Sequence, residues 1–269
     1  MYWIDSKVKF LLFLCGFALF FSCETPNPNK EKKEDKESNM DSLTDEELII
    51  RQVETNLDIP ATENYDIEIM YDFLNPDTLK DAIILVNRRE YAYKSARSKG
   101  KESFFNEIGN TALANHVFVK LGGSNNLLST TPIGSNVNYP LEIQFIELTS
   151  SAYTDFYIDY RIRNSLQRNY YTVRNNRIYL TFSCPVFDRI GEEEPVVYSI
   201  KHKTSSVRLA KDIAMYYGEI PGYNPREIEN INYYQPDSIV GTDKLYVYFI
   251  FDDKSMKYKT PMRPEEAEE

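Results

Sequence analysis

Between Asp72 and Asp81 the chain reads Asp-Phe-Leu-Asn-Pro-Asp-Thr-Leu-Lys-Asp, and the apolar run Ala82–Val86 follows. Asn75, Asp77 and Asp81 place oxygen-bearing side chains along one short loop. Oxygen donors at alternate positions of a curling loop are the chemistry of calcium binding. Two departures lower the affinity expected of such a loop. Phe73 stands where a first carboxylate belongs, with Asp72 displaced by one, and Thr78 stands where glycine eases the sharp turn. A second reading needs no ion: Asn75, Pro76 and Asp77 make a turn, and Asp81 starts a strand. Other reactive residues are sparse. His116 and His202 are the only histidines, and Cys184 lies in the strand-like run Tyr179–Pro185, where it reads as a small buried apolar residue. No phosphate-binding loop, dinucleotide fingerprint or Gly-x-Ser-x-Gly motif occurs, so no catalytic residue is assigned.

The Asn75–Asp81 spacing resembles the loop of FG-GAP (VCBS-type) repeats, D-x-N-x-D-G-x-x-D leading into a strand. A shift of 74 residues brings Tyr65, Glu68, Ile69, Leu74, Asp81 and Ile84 onto Tyr139, Glu142, Ile143, Leu148, Asp155 and Ile158. Two repeats, 65–138 and 139–212, are therefore expected, with a fainter third unit around Asp237–Asp243. The resemblance implies propeller-blade-like units that serve as scaffolds for protein or glycan recognition. Two or three copies cannot close a propeller, so an open, curved sheet is the expectation.

Cys23 carries a different chemistry. Lys7 and Lys9 precede an apolar run, Phe10–Phe21, and Ser22-Cys23 ends it before the composition turns polar. The run of 12 residues would span about 18 Å as a helix, short of the ~30 Å hydrocarbon core. That order is an export signal. Phe20-Phe21-Ser22-Cys23 resembles the lipobox of bacterial lipoproteins, in the looser form of the Bacteroidota. The resemblance implies cleavage after residue 22, lipidation of Cys23 and an outer-membrane anchor, with the body facing the periplasm or the cell surface. Several acyl chains, at about 0.8 kcal/mol per buried methylene, would hold it there.

The elements that must position these residues follow from patterning. Residues 24–43 are charged and polar and read as a disordered tether. Thr44 and Glu47 form a capping box for a helix ending near Leu57. Alternation then predicts strands over 65–71, 82–87, 117–121, 141–148, 156–163, 170–173, 177–182, 196–202 and 245–251, with a tight turn at Asn175-Asn176. Further helices are expected over 102–115 and 206–217. The expected fold is α+β and β-dominated: mostly antiparallel sheet with two or three short helices, in a single body over 44–269. Without Asp5, Lys7 and Lys9 the chain carries 29 basic and 40 acidic residues, a net charge of −11. Such a body repels phosphate backbones, which excludes nucleic acid as a partner. The chain thus reads as a membrane-tethered, non-enzymatic binding or structural module whose partner is an envelope protein or glycan. The alternatives are an extracytoplasmic hydrolase, or an accessory subunit of an envelope complex.

Overall fold

The computed structural model describes residues 43–109, 112–189, 195–229 and 234–261. The expected signal segment, Cys23 and the expected tether, Leu43 apart, lie outside these residues. No helix among the described residues is long and apolar enough to cross a membrane.

Ala82-Ile-Ile-Leu-Val86 is apolar at consecutive positions, so its strand must be covered on both faces. That strand is β2 (Asp81–Asn87), in an antiparallel sheet of order β1-β2-β3-β4 with β1 (Asp66–Asp72), β3 (Asn115–Lys120) and β4 (Leu127–Ser129). One face takes Ile49 and Val53 of α1 (Asp45–Asn56) against Ala82, Ile84, Val86 and Phe118. The capping box forms: Thr44 Oγ1 accepts from Glu47 N at 3.3 Å, and Glu47 Oε2 accepts from Thr44 N at 2.7 Å. The opposite face of the sheet takes Ile83, Leu85, Val117 and Val119 into a core with Phe156, Ile158, Tyr171 and Val173.

Those last residues belong to an eight-stranded antiparallel sheet, whose strands follow one another in chain order. They are β5 (Glu142–Ile146), β6 (Asp155–Ile162), β7 (Ser165–Arg174), β8 (Arg177–Asp188), β9 (Val196–Lys203), β10 (Asp212–Glu219), β11 (Val240–Asp252) and β12 (Lys257–Lys259). At its middle the sheet is almost cut, because β8 and β9 pair only through Phe187↔Val197 and Asp188↔Val196. The body is thus three four-stranded meanders, β1–β4, β5–β8 and β9–β12. The second packs its other face, with Tyr170 and Cys184, against Ile213, Met215, Phe251 and Tyr258 of the third. The third curls back far enough for Lys257 Nζ to donate to the Leu180 carbonyl of β8.

The fold class is as the sequence predicts: β-dominated and antiparallel, with three short α-helices among the described residues. The Asn175-Asn176 turn has φ of 50° and 56°, the left-handed pair a two-residue hairpin requires. Two predicted helices differ. The helix over 102–115 stops as α3 (Glu102–Ile108), because Gly109 adopts φ +63° where the chain crosses Asn136. A Cβ there would lie 1.8 Å from Asn136 Oδ1. The helix over 206–217 is a loop followed by β10. Its apolar residues fit a helical period, but pairing with β9 and β11 on both sides fixes an extended backbone. A helix that patterning does not predict, α2 (Arg89–Ser98), buries only Ala92 and Ala96, side chains too small to give a periodic apolar signal.

Candidate functional site

The three meanders open alike. The hairpins β1–β2, β5–β6 and β9–β10 close on the pairs Asp72↔Asp81, Ile146↔Asp155 and Lys203↔Asp212, each leaving an eight-residue loop. Shifted by 74 residues, the register Ile69↔Ile84 becomes Ile143↔Ile158 without a slip. The aspartate opening the second strand is buried each time: Asp81 at 0%, Asp155 at 1% and Asp212 at 2% exposure. Asp81 accepts from Leu74 N at 2.9 Å and from Gly122 N at 2.7 Å. Asp155 accepts from Leu148 N at 3.1 Å, from Thr149 N, and from Thr149 Oγ1 at 2.9 Å. In the third hairpin the carboxylate instead takes Arg208 Nη2 at 2.8 Å and the Tyr248 hydroxyl. The sequence places a third unit near Asp237–Asp243; the residue in the matching structural position is Asp212.

The loops also join one another. Thr154 N donates to Phe73 O at 2.8 Å, and Lys211 N donates to Leu148 O at 2.7 Å. In each case the residue just before the buried aspartate ties its loop to the preceding one. The three loops therefore line one end of the body.

Asn75, Asp77 and Asp81 lie together in the first loop, and their oxygens already have hydrogen-bond donors. Asn75 Oδ1 accepts from Asp77 N, and Asp77 Oδ1 from Leu79 N, both at 2.8 Å. Asn75 turns its amide nitrogen, 3.5 Å away, towards Asp81. Burial pushes the Asp81 and Asp155 carboxyls up, and the N–H groups they accept from offset part of that. The first loop rests on the Gly122-Gly123 turn, where a Cβ on Gly122 would meet Leu79 Cβ at 2.4 Å. Among the described residues no group of three or more His, Cys, Asp or Glu side chains is placed to hold a metal ion.

The near-cut between β8 and β9 has a second consequence. Where the second and third meanders diverge, a cleft of about 610 Å³ opens. One wall is Phe182, Ser183, Cys184 and Pro185 of β8. The other is a cross-strand row of tyrosines, Tyr198 of β9, Tyr217 of β10 and Tyr246 of β11. Tyr198 and Tyr217 are register partners with ring centroids 6.1 Å apart; Tyr246 lies 4.7 Å from Tyr198 and 5.3 Å from Tyr217. Lys244 Nζ sits 4.9 Å above the Tyr217 ring. Tyr198 is buried, Tyr217 half-buried and Tyr246 41% exposed, so the row runs from core to surface. Tyr198 and Tyr217 lie at the ends of β9 and β10 remote from the Lys203↔Asp212 pair, so the cleft lies away from the loop end.

On the same face of the second meander stands a polar cluster. Arg168 makes two 2.7 Å bonds to Asp159 and stacks over Tyr157 at 3.8 Å. Tyr170 Oη lies 3.0 Å from His202 Nε2 and 3.5 Å from Arg168 Nη1. Burial holds His202 down to about 4, helped by Arg168 and Lys211. Burial pushes the Cys184 thiol up to about 12, against the pull of Arg168, so it is a thiol and not a thiolate. His116 stands apart on the first meander, stacked on Phe118 at 6.4 Å.

The tyrosine row has no signature in the linear sequence, since its members come from three strands and meet only through register. The one available signal is the recurrence of tyrosine in β9–β11, which equally fits half-buried strand faces. Comparison with protein-family models, with curated proteins and with solved structures finds no match.

Proposed function

We propose that this chain is a lipid-anchored module of the cell envelope that holds a ligand in the tyrosine cleft without transforming it. The observation that carries this reading is the Tyr198–Tyr217–Tyr246 row opposite Phe182 and Cys184. Tyrosines give broad, stiff contact area at small entropic cost, with a hydroxyl at the rim to fix orientation. Three rings in mutual contact cannot collapse to fill the cleft, so it is preformed for a ligand. A glycan of the envelope fits this lining, since it offers apolar C–H faces to the rings and hydroxyls to the phenols. The high-lying Cys184 thiol and the hydrogen-bonded Tyr170–His202 pair suit a structural floor better than a nucleophile and base. The FG-GAP-like loops then serve as latches between repeated units, and Cys23 as the anchor in the outer membrane.

The test is capture of ligand from solubilised native envelope on immobilised protein. Wild type should retain a saccharide, and Tyr246→Ala, which removes an exposed ring, should weaken retention about tenfold or more, a hot-spot loss of ~1.4 kcal/mol or above. Equal retention by both proteins would place the ligand elsewhere. Cys23→Ala should move the protein from the membrane pellet to the soluble fraction.

A further inference from the structure

The body is acidic, but the loop between β9 and β10 is not. Residues 201–211 read Lys-His-Lys-Thr-Ser-Ser-Val-Arg-Leu-Ala-Lys, with four cationic side chains and no acidic one, in a chain of net charge −10. This segment ends β9 and forms the third hairpin loop. Val207 is 80% and Leu209 87% exposed, the two most exposed large apolar side chains among the described residues. The alternation around them is orderly. Arg208 turns back to Asp212 and Ala210 packs inward at 6% exposure, while Val207 and Leu209 project. Lys201 and Lys203 rest beside Tyr216, 4.6 and 5.8 Å from its ring centroid.

The location of this loop adds a second, independent observation. The backbone bonds Lys211 N to Leu148 O and Thr154 N to Phe73 O place it at the end shared by all three hairpin loops. The first turn of α1 is at that end too: Asp45, Ile49, Leu79, Gly122 and Gly123 line one small hollow. The first helical turn of the body thus lies at the same end that carries Val207 and Leu209. Phe73 and Leu79, 42% and 48% exposed, continue the apolar rim, but Asp72 and Asp77 flank them, so the third loop is the stronger contact.

We propose that the 204–211 loop is a membrane-contact site: Val207 and Leu209 enter the headgroup–acyl boundary of an anionic bilayer, and Lys203 and Lys211 face its phosphates. Apolar side chains in such sites sit about 5–10 Å deep, and each lysine near the anionic surface strengthens association about fivefold. Arg208, already paired with Asp212, contributes little. The contact orients the body loop-end down and turns the tyrosine cleft away from the bilayer. This takes the Cys23 anchor from the proposed function, while the loop contact stands on its own residues.

The test uses the chain processed and lipidated in bacterial membranes, in a Trp3→Phe background, which leaves the introduced tryptophan as the only one. Leu209→Trp is bound to phosphatidylethanolamine–phosphatidylglycerol vesicles containing acyl-brominated lipid, and Val207→Trp repeats the measurement should the first variant misfold. Emission should shift to the blue and fall about twofold, the depth expected of an interfacial side chain. Val240→Trp, 54% exposed at the opposite end of the third meander, should remain unquenched. Lys203→Glu with Lys211→Glu should reduce the quenching. Chain that floats with the vesicles but leaves the indole unquenched in both the Leu209→Trp and Val207→Trp variants overturns the loop contact and spares the anchor. That result would give Val207 and Leu209 to a protein partner. Chain with Cys23 intact that fails to float overturns the anchor, and quenching of the Leu209→Trp variant on titrating in vesicles then still decides the loop.

Discussion

Replacing Asp155 with Ala tests the central structural argument, that a buried aspartate latches each hairpin loop to its strand. Asp155 is 1% exposed and accepts from the backbone N–H groups of Leu148 and Thr149 and from the Thr149 hydroxyl. The hydroxyl keeps other neighbours, Thr172 Oγ1 at 3.3 Å and Arg174 Nη2 at 3.3 Å. Alanine therefore orphans two buried amides, at about 1–3 kcal/mol each. Burial raises the carboxyl of Asp155, so removing it also relieves a desolvation cost and offsets part of that loss. The net expectation is destabilisation by about 2–4 kcal/mol, a large share of the roughly 5–15 kcal/mol typical of a domain. Asp155→Asn should fall between wild type and alanine, since its one carbonyl oxygen can take the place that accepts both amides while its NH₂ meets the Thr149 hydroxyl. Asp77→Ala removes one exposed bond within its own loop and should cost under about 1 kcal/mol. Urea unfolding measures all three. A stability loss for Asp155→Ala below about 1 kcal/mol, from the midpoint shift at unchanged slope, would refute the latch.

Two further outcomes follow from the geometry. His202 is held down to about 4, against an ordinary value near 6.5, so the folded state keeps it neutral while the unfolded chain protonates first. Its contribution is present above about pH 6.5 and is lost as pH falls towards 4, amounting to at most ~3 kcal/mol. Imidazole NMR should show the low midpoint, and His202→Gln should flatten the stability profile between about pH 4 and 6.5; an unshifted imidazole would overturn the buried placement. Gly122→Ala should displace the first loop or cost about 2 kcal/mol or more, because the new Cβ meets Leu79 Cβ at 2.4 Å and the Lys80 carbonyl at 2.9 Å. A thermal midpoint equal to wild type would show that the loop does not rest on Gly122.

Much of this protein is legible in its residue pattern, and the reason is locality. A capping box needs only Thr44 and Glu47, a tight hairpin only Asn175 and Asn176, and a doubly covered strand only the run Ala82–Val86. The 74-residue self-similarity also lies in the sequence, because Leu74 and Asp81 recur at the same separation as Leu148 and Asp155. Helix against strand at 206–217 is not legible there: the apolar spacing satisfies both periods, and only the ladders on either side of β10 select one. The cleft is still further out of reach. It exists because two residue pairs, rather than a full ladder, join β8 to β9, and because register brings Tyr198, Tyr217 and Tyr246 into one row. Most of the elements, the β-dominated class and the recurrence of the first two hairpins are therefore properties of the linear chain, since each depends on neighbours within a few residues. Which tyrosines meet, and which end of the body carries the loops, are properties of the folded molecule, since both depend on the pairing of strands distant in the chain.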